Sequence, residues 1–107
     1  MLDIHIAKSF DDAIRNERVV GIDFDVHVAF FNERLGLVAN CQQLQRMSDH
    51  YSDCTFSGDE IPKLLSEIIA VSNAMAATSP HQEWLKQFRN ACHSAIANGE
   101  SLFAICD

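Results

Sequence analysis

The stretch FSGDEIPKLLSEIIAVSNAMA, residues 56–76, decides the fold class, because its apolar residues recur every three or four positions. That spacing indicates a helix with one buried side. The residues on that side are Ile61, Leu64, Leu65, Ile68, Val71, Ser72 and Met75. Ser57 and Glu60 form an S-x-x-E helix start, and Pro62 is tolerated because it falls in the first turn. The pattern predicts a helix within residues 58–77.

The stretch TSPHQEWLKQFRNACHSAIANGESL, residues 78–102, has the same design. Ser79 and Gln82 form an S-x-x-Q start, Pro80 suits the first helical position, and Gly99 suits the end. The expected buried stripe is Trp84, Phe88, Ala91, Cys92 and Ala95. A few residues separate this helix from the previous one. The two should therefore pack as an antiparallel hairpin of residues 58–77 and 80–98.

Strands are expected near both ends of the sequence. Residues 2–7, LDIHIA, alternate apolar and polar side chains, and residues 101–106, SLFAIC, form an apolar run after Gly99. Residues 20–28 alternate as well. A chain of 107 residues forms one domain. We therefore predict a single α+β domain over residues 1–107, with the helical hairpin and one or two further helices packed on a small sheet formed by the N-terminal and C-terminal strands.

The stretch VVGIDFDVHV, residues 19–28, admits two interpretations. As a strand to residue 28, it turns Asp23, Asp25 and His27 to one side and Phe24 to the other. Alternatively, Asp25 caps a helix, VHVAFFNERLGL. We favour the strand. Ser9 is the expected cap of a short helix. Residues 40–51 should be helical with Cys41, Leu44, Met47 and Tyr51 on one side, and residues 52–58 should form an extended link.

Charge limits the possible partners. There are 15 acidic residues against 8 Lys and Arg, a formal charge of −7. Such a chain repels phosphate backbones and anionic lipids, so neither nucleic acid nor a membrane is an expected partner. A basic protein is an expected partner, although the charge could also serve solubility alone. The sequence lacks a basic segment followed by an apolar one and a membrane-length apolar run, which predicts a cytoplasmic location.

Catalytic motifs are scarce. Asp23 and Asp25 match the D-x-D-x-V start of dehalogenase-like phosphohydrolases, but the repeated strand–helix units of that fold and its later lysine and acidic pair are missing. His5, His27, His50, His81 and His93 are scattered without metal-ligand spacing. A small phosphohydrolase using Asp23 and Asp25 is therefore the weaker alternative. We expect a protein that is not an enzyme and needs no metal or cofactor.

Acidic residues are concentrated in the middle of the sequence. Residues 17–60 contain eight acidic side chains and three cations, Arg18, Arg34 and Arg46. This segment is the expected negative surface. The predicted partner-contact residues are Asp23, Asp25, Glu33, Asp49, Asp53 and Asp59, with Tyr51 as an aromatic anchor.

Residues 44–107 resemble small immunity proteins of bacterial polymorphic-toxin and contact-dependent growth inhibition systems. The similar features are D-x-Y-x-D at residues 49–53, the capped EIPKLLSEI helix at 60–68, and the WLKQFRNAC helix at 84–92, which runs through Gly99 into a closing strand. The resemblance implies a cytoplasmic inhibitor that binds and masks a cognate toxin, commonly a nuclease with a basic groove. Another acidic adaptor or regulatory subunit remains an alternative.

Overall fold

A computed structural model describes residues 1–33, 35–49 and 51–106. The described elements, in chain order, are β1 (Leu2–Ala7), α1 (Phe10–Ala13), β2 (Val20–Ile22), α2 (Phe24–Glu33), α3 (Leu35–Val38), α4 (Gln42–Gln45), β3 (Cys54–Phe56), α5 (Ile61–Ala74), α6 (Gln82–Asn98) and β4 (Ser101–Cys106). The predicted α+β class is confirmed.

The four strands form one antiparallel sheet in the order β2-β1-β4-β3. The central pair joins β1 to β4, from Leu2 opposite Cys106 to Ala7 opposite Ser101. The prediction that the N-terminal and C-terminal strands make the sheet is therefore confirmed. Residues 54–56, expected to be part of a link, form a short edge strand on β4.

The α5–α6 hairpin covers one face of the sheet, and together they enclose the main core. All five residues of the predicted α6 stripe are buried. On α5 the expected side is also inward, with Leu65 and Ser72 only partly covered. Gly99 ends α6 with φ 64° and ψ 35°, a left-handed conformation that glycine adopts without strain. The 3.6-residue periodicity thus identified both helices correctly.

Of the two predicted helix starts, the one before α5 forms as expected, whereas Gln82, expected to help start α6, caps α5. Before α5, the Glu60 carboxylate accepts hydrogen bonds from the Ser57 N–H and hydroxyl, both at 3.0 Å, as an S-x-x-E start requires of its glutamate. Before α6, the Gln82 side chain turns to the end of α5. Its amide donates to the carbonyls of Ser72 (2.9 Å) and Ala76 (3.2 Å), and its oxygen accepts from the Ser72 hydroxyl (2.7 Å). Gln82 therefore caps the preceding helix.

The favoured strand over residues 20–28 is wrong beyond Ile22. Helix α2 begins at Phe24, and the Asp23 carbonyl accepts a helical hydrogen bond from His27 N–H at 2.9 Å. The helix is favoured over the strand because it places His27, Phe30 and Phe31 together in the interior. Phe30 is fully buried and meets the Trp84 ring edge-on, with 4.8 Å between ring centroids. Tertiary packing thus overrides the preference of Val26 and Val28 for a strand.

The helix expected over residues 40–51 is also shorter than predicted. Helix α4 spans only Gln42–Gln45, although Cys41, Leu44 and Met47 are buried as expected. Tyr51 is not on that buried side, because its side chain is 76% exposed. Asp49, Tyr51 and Asp53 instead lie between α4 and β3.

Candidate protein-binding face

Four of the predicted contact acids lie at one end of the sheet. This end is where Leu2 is paired with both Ile22 and Cys106. Asp23 directly follows β2, and Asp25 lies in the first turn of α2. Asp53 accepts a hydrogen bond from the Cys106 N–H at 2.9 Å. Asp49 lines the same groove as Phe24, the first residue of α2; this groove is described below. We call these four residues, Asp23, Asp25, Asp49 and Asp53, the acidic end.

The other two predicted acids are not part of this group. Asp59 follows β3, whose last residue, Phe56, is opposite Leu102. Leu102 is four residues along β4 from Cys106, which is about 13 Å at the usual rise of a strand. The Glu33 side chain lies outside the described part of the structure.

Two exposed aromatic rings lie within the acidic end. Phe24 is 44% exposed and Tyr51 is 76% exposed, and their ring centroids are 6.1 Å apart at an interplanar angle of 46°. Tyr51 was a predicted contact residue. Phe24 was missed, because a strand over residues 20–28 turns it toward the core. We call Phe24 and Tyr51 the aromatic pair.

A groove of about 260 Å³ opens beside the aromatic pair, between α2 and the turns that follow α4. Its apolar walls include Phe24, Phe31 and Tyr51, and its polar lining includes His27, Ser48 and Asp49. The groove is therefore amphipathic, with aromatic surfaces next to a carboxylate. We call it the α2 groove.

Local hydrogen bonds orient the Asp49 carboxylate. One oxygen accepts from the Tyr51 N–H at 2.9 Å, and the other accepts from the Ser52 hydroxyl at 2.8 Å. The Ser52 N–H also donates to the Asp49 carbonyl at 3.3 Å. Aspartate favours such turns because its side chain can accept from the backbone two residues later. The turn thus positions the acid and Tyr51 together.

His27 forms the buried floor of the α2 groove. It is 2% exposed, its ring centroid is 4.8 Å from that of Phe31, and Nε2 is 2.5 Å from the Met47 carbonyl. A carbonyl can only accept, so Nε2 carries the proton and donates. Burial lowers the pKa of His27, while the Met47 hydrogen bond and the Asp49 charge act in the opposite direction. The imidazole is therefore neutral at pH 7 and links α2 to Met47.

A second set of bonds ties the Tyr51–Asp53 segment to β4. The Cys106 thiol donates to the Tyr51 carbonyl at 3.2 Å, and the Asp53 carboxylate accepts a hydrogen bond from the Cys106 N–H. Interaction with the Asp53 carboxylate is the largest of the causes that raise the pKa of Cys106. The thiol consequently stays protonated at neutral pH, as this donor role requires. Sequence reasoning had no means of finding this contact across 53 residues.

Two charged side chains support the segment that leads to the site. Glu67 of α5 accepts hydrogen bonds from the backbone N–H groups of Gln43 (3.0 Å) and Leu44 (2.9 Å), at the start of α4. Arg46 pairs with Glu60 at 2.6 Å and donates to the Thr55 carbonyl at 2.6 Å. The Arg46 guanidinium also lies 4.8 Å from the centre of the Phe56 ring. Together these contacts fix α4 against α5 and β3.

The structure does not supply the framework that the phosphohydrolase alternative requires. That chemistry needs a doubly wound parallel sheet with its acids at the strand ends, whereas every strand pairing described is antiparallel. Within residues 1–33, 35–49 and 51–106, no three His, Cys, Asp or Glu side chains converge as a metal site would need.

Comparison of the chain with protein-family models, with curated proteins and with solved structures found no match. None of the described helices has both the length and the apolar character needed to cross a bilayer.

Proposed function

We propose that this protein is a non-catalytic inhibitor that binds a cognate basic toxin in the cytoplasm, in the manner of a bacterial immunity protein. The observation that carries the proposal is the exposed aromatic pair lying within four acidic residues. Binding energy at protein interfaces is concentrated in a few anchors, among which tyrosine is enriched, whereas surrounding charges govern encounter and selectivity. The acidic end combines both properties on one preorganised surface.

The chemistry of the expected partner follows from the charge. A net charge of −7 and a local group of four carboxylates favour a protein whose binding surface is rich in Lys and Arg. The substrate groove of a nuclease is such a surface, because it must attract phosphate groups. The inhibitor would then mask the groove by occupying the positions that phosphates normally take. Its association should be fast at low salt and should slow as salt is added.

The direct test is association with a candidate toxin. The gene immediately upstream of this one is the first source of candidates, since immunity genes follow toxin genes in the systems that the sequence resembles. The wild-type chain should co-purify with the basic domain encoded there and abolish its nuclease activity. Failure of that domain to bind, or binding that leaves its activity unchanged, would refute the inhibitor proposal and favour an adaptor or regulatory subunit.

A charge series locates the binding surface. The test variant carries Asp23→Asn, Asp25→Asn, Asp49→Asn and Asp53→Asn. The matched control removes four exposed acids elsewhere and carries Asp11→Asn, Asp12→Asn, Glu17→Gln and Glu83→Gln. Association at low salt should slow at least about 10-fold in the test variant, because steering raises on-rates by about 10–1,000-fold. Equal slowing in both variants would mean that the acidic end is not the interface.

A further inference from the structure

We propose that a groove on the α5–α6 hairpin binds a small organic carboxylate through Lys86 and Arg89. The groove has a volume of about 450 Å³ and lies between the end of α5 and the first half of α6. We call it the hairpin groove. The proposal goes beyond the inhibitor function and does not rest on it. It has three supports: a local excess of positive charge, hydrogen-bond donors on both helices, and a volume that suits a small molecule.

Two positive side chains line the hairpin groove, although the chain as a whole has a formal charge of −7. Lys86 and Arg89 are three residues apart on α6, so they are neighbours on one side of the helix. Among the described residues, neither of them forms an ion pair with an acidic side chain. By contrast, no lysine or arginine lines the α2 groove. The hairpin groove is therefore a positive site on an otherwise acidic molecule.

Glu83 also lines the hairpin groove and limits the charge of the ligand. It lies three residues before Lys86, where an ion pair could form, but its carboxylate instead accepts from the Gln87 side-chain amide at 3.5 Å. The lining thus carries two positive charges and one negative charge. A single carboxylate balances the excess of one, whereas a phosphate monoester, with a charge of about −1.5 to −2 at neutral pH, exceeds it.

Hydrogen-bond donors line the groove from both helices. The Arg89 guanidinium carries a fork of donors that can make two parallel charge-assisted bonds to one carboxylate. Asn73, in the last turn of α5, supplies an amide from the other helix, and its side chain bonds to no other described residue. The Gln82 amide donates to the carbonyls of Ser72 and Ala76, which leaves fewer acceptors at the end of α5 to compete with the ligand.

The volume and the surroundings favour a small organic molecule over an inorganic ion or an acidic peptide. Small-molecule sites have volumes of about 300–1,000 Å³, and this groove lies within that range. Met75 and Ala77 add apolar surface for the organic part of the ligand. An acidic peptide would bring several negative charges toward a protein of charge −7, so long-range repulsion opposes it more strongly than a single carboxylate.

The test uses hippurate (N-benzoylglycine) as the probe, titrated into the isolated protein at constant ionic strength and followed by NMR. Saturable shifts are expected at the amides of Asn73, Met75, Lys86 and Arg89. Hippuramide, which has nearly the same shape without the charge, should bind at least fivefold more weakly, because it loses the charge-assisted bonds. Phenyl phosphate should bind at least twofold more weakly, and hexaglutamate should cause no saturable shift.

Each contrary result overturns a stated part of the proposal. Absence of a saturable hippurate shift refutes the site. Equal binding of hippuramide would reduce the groove to an apolar surface. Tighter binding of phenyl phosphate would contradict the preference for a carboxylate, and tighter binding of hexaglutamate would contradict the choice of a small molecule.

Variants separate the groove from general effects of surface charge. Lys86→Gln and Arg89→Gln should each weaken hippurate binding at least threefold. Lys63→Gln is the matched control, because Lys63 is an exposed cation of the same hairpin that does not line the groove, and it should leave binding unchanged. An amide spectrum of each variant verifies the fold. If Lys63→Gln weakens binding as much as Arg89→Gln, the proposed site is wrong.

Replacement of Glu83 provides a test in the opposite direction. Glu83→Gln removes the negative charge of the lining, so it should tighten hippurate binding at least twofold and phenyl phosphate binding by a larger factor. The matched control is Glu17→Gln, which removes the same charge from an exposed residue outside the groove. If Glu83→Gln leaves hippurate binding unchanged, or if the control tightens it equally, the charge balance inferred for the groove is refuted.

Discussion

Replacement of Glu67 tests whether a side chain from α5 caps α4 and thereby supports the binding face. Cys41, at the N-cap position of α4, makes no capping hydrogen bond with its own side chain. The Glu67 carboxylate takes over this function through its bonds to the N–H groups of Gln43 and Leu44. In Glu67→Ala both donors lose a charged acceptor, and the link between α5 and α4 is lost with them.

The expected magnitude follows from the number and type of these bonds. A hydrogen bond to a charged group contributes about 1.5–3 kcal/mol, but Glu67 is partly exposed and water can replace it at the freed amides. Loss of an ordinary N-cap costs about 0.5–2 kcal/mol. We therefore expect Glu67→Ala to lower the free energy of unfolding by about 2 kcal/mol. Glu67→Gln keeps one neutral acceptor oxygen and should lose about half as much.

Urea denaturation measures the change, with Glu17→Ala as the matched control because it removes the same charge from an exposed site. The control should change stability by less than about 0.5 kcal/mol. Thermal unfolding of Glu67→Ala should shift by about 8 °C for 2 kcal/mol in a domain of this size. Amide exchange at Gln43 and Leu44 should accelerate. If Glu67→Ala matches the control, or if these amides keep their protection, the capping role is refuted.

Two other predictions concern His27 and Gly99. Burial lowers the pKa of His27 below its unfolded value of 6.5, so the unfolded chain binds the proton first and stability falls as the pH drops below 6.5. His27→Gln should flatten this decline in urea denaturation between pH 7 and pH 5; an unchanged slope would assign it to other groups. Gly99→Ala should cost about 1–2 kcal/mol, because φ 64° is unfavourable for L-residues. Gly36→Ala, whose added Cβ meets nothing within 4 Å, is the helical control and should be neutral or stabilising; equal loss in both variants would contradict this reasoning.

The parts of the fold that sequence reasoning found are those with a clear period. The apolar stripes of α5 and α6 repeat at helical spacing, and LDIHIA alternates as a strand does. The stretch FDVHVAFF fits both periods, so its structure depends on what it packs against. Trp84 decides the matter, because it lies 60 residues after Phe24, where this segment begins, and meets Phe30 in the core.

The candidate site could be predicted only in part, for a related reason. Asp23, Asp25, Asp49, Tyr51 and Asp53 were identified by charge and residue type, but nothing in the sequence indicates that they share one end of the sheet. That grouping depends on the register of β1, β2 and β4. Phe24 was missed because the predicted strand over residues 20–28 turns every second side chain, including that of Phe24, toward the core. Likewise, Gln82 serves a helix that precedes it, which a local capping motif cannot indicate.

The position of β4 has a consequence for biosynthesis. Both β1 and β3 pair with this strand, so two of the three pairings of the described sheet require residues 101–106. A nascent chain synthesised only as far as Gly99 can form its helices, but Leu2, Ile4 and Phe56 would still lack their neighbours across the sheet. Pairing across about 100 residues is also slow, because loop closure must precede the contacts. During translation the molecule would therefore expose apolar strands until β4 leaves the ribosome, which makes this interval the one in which it most needs protection from aggregation.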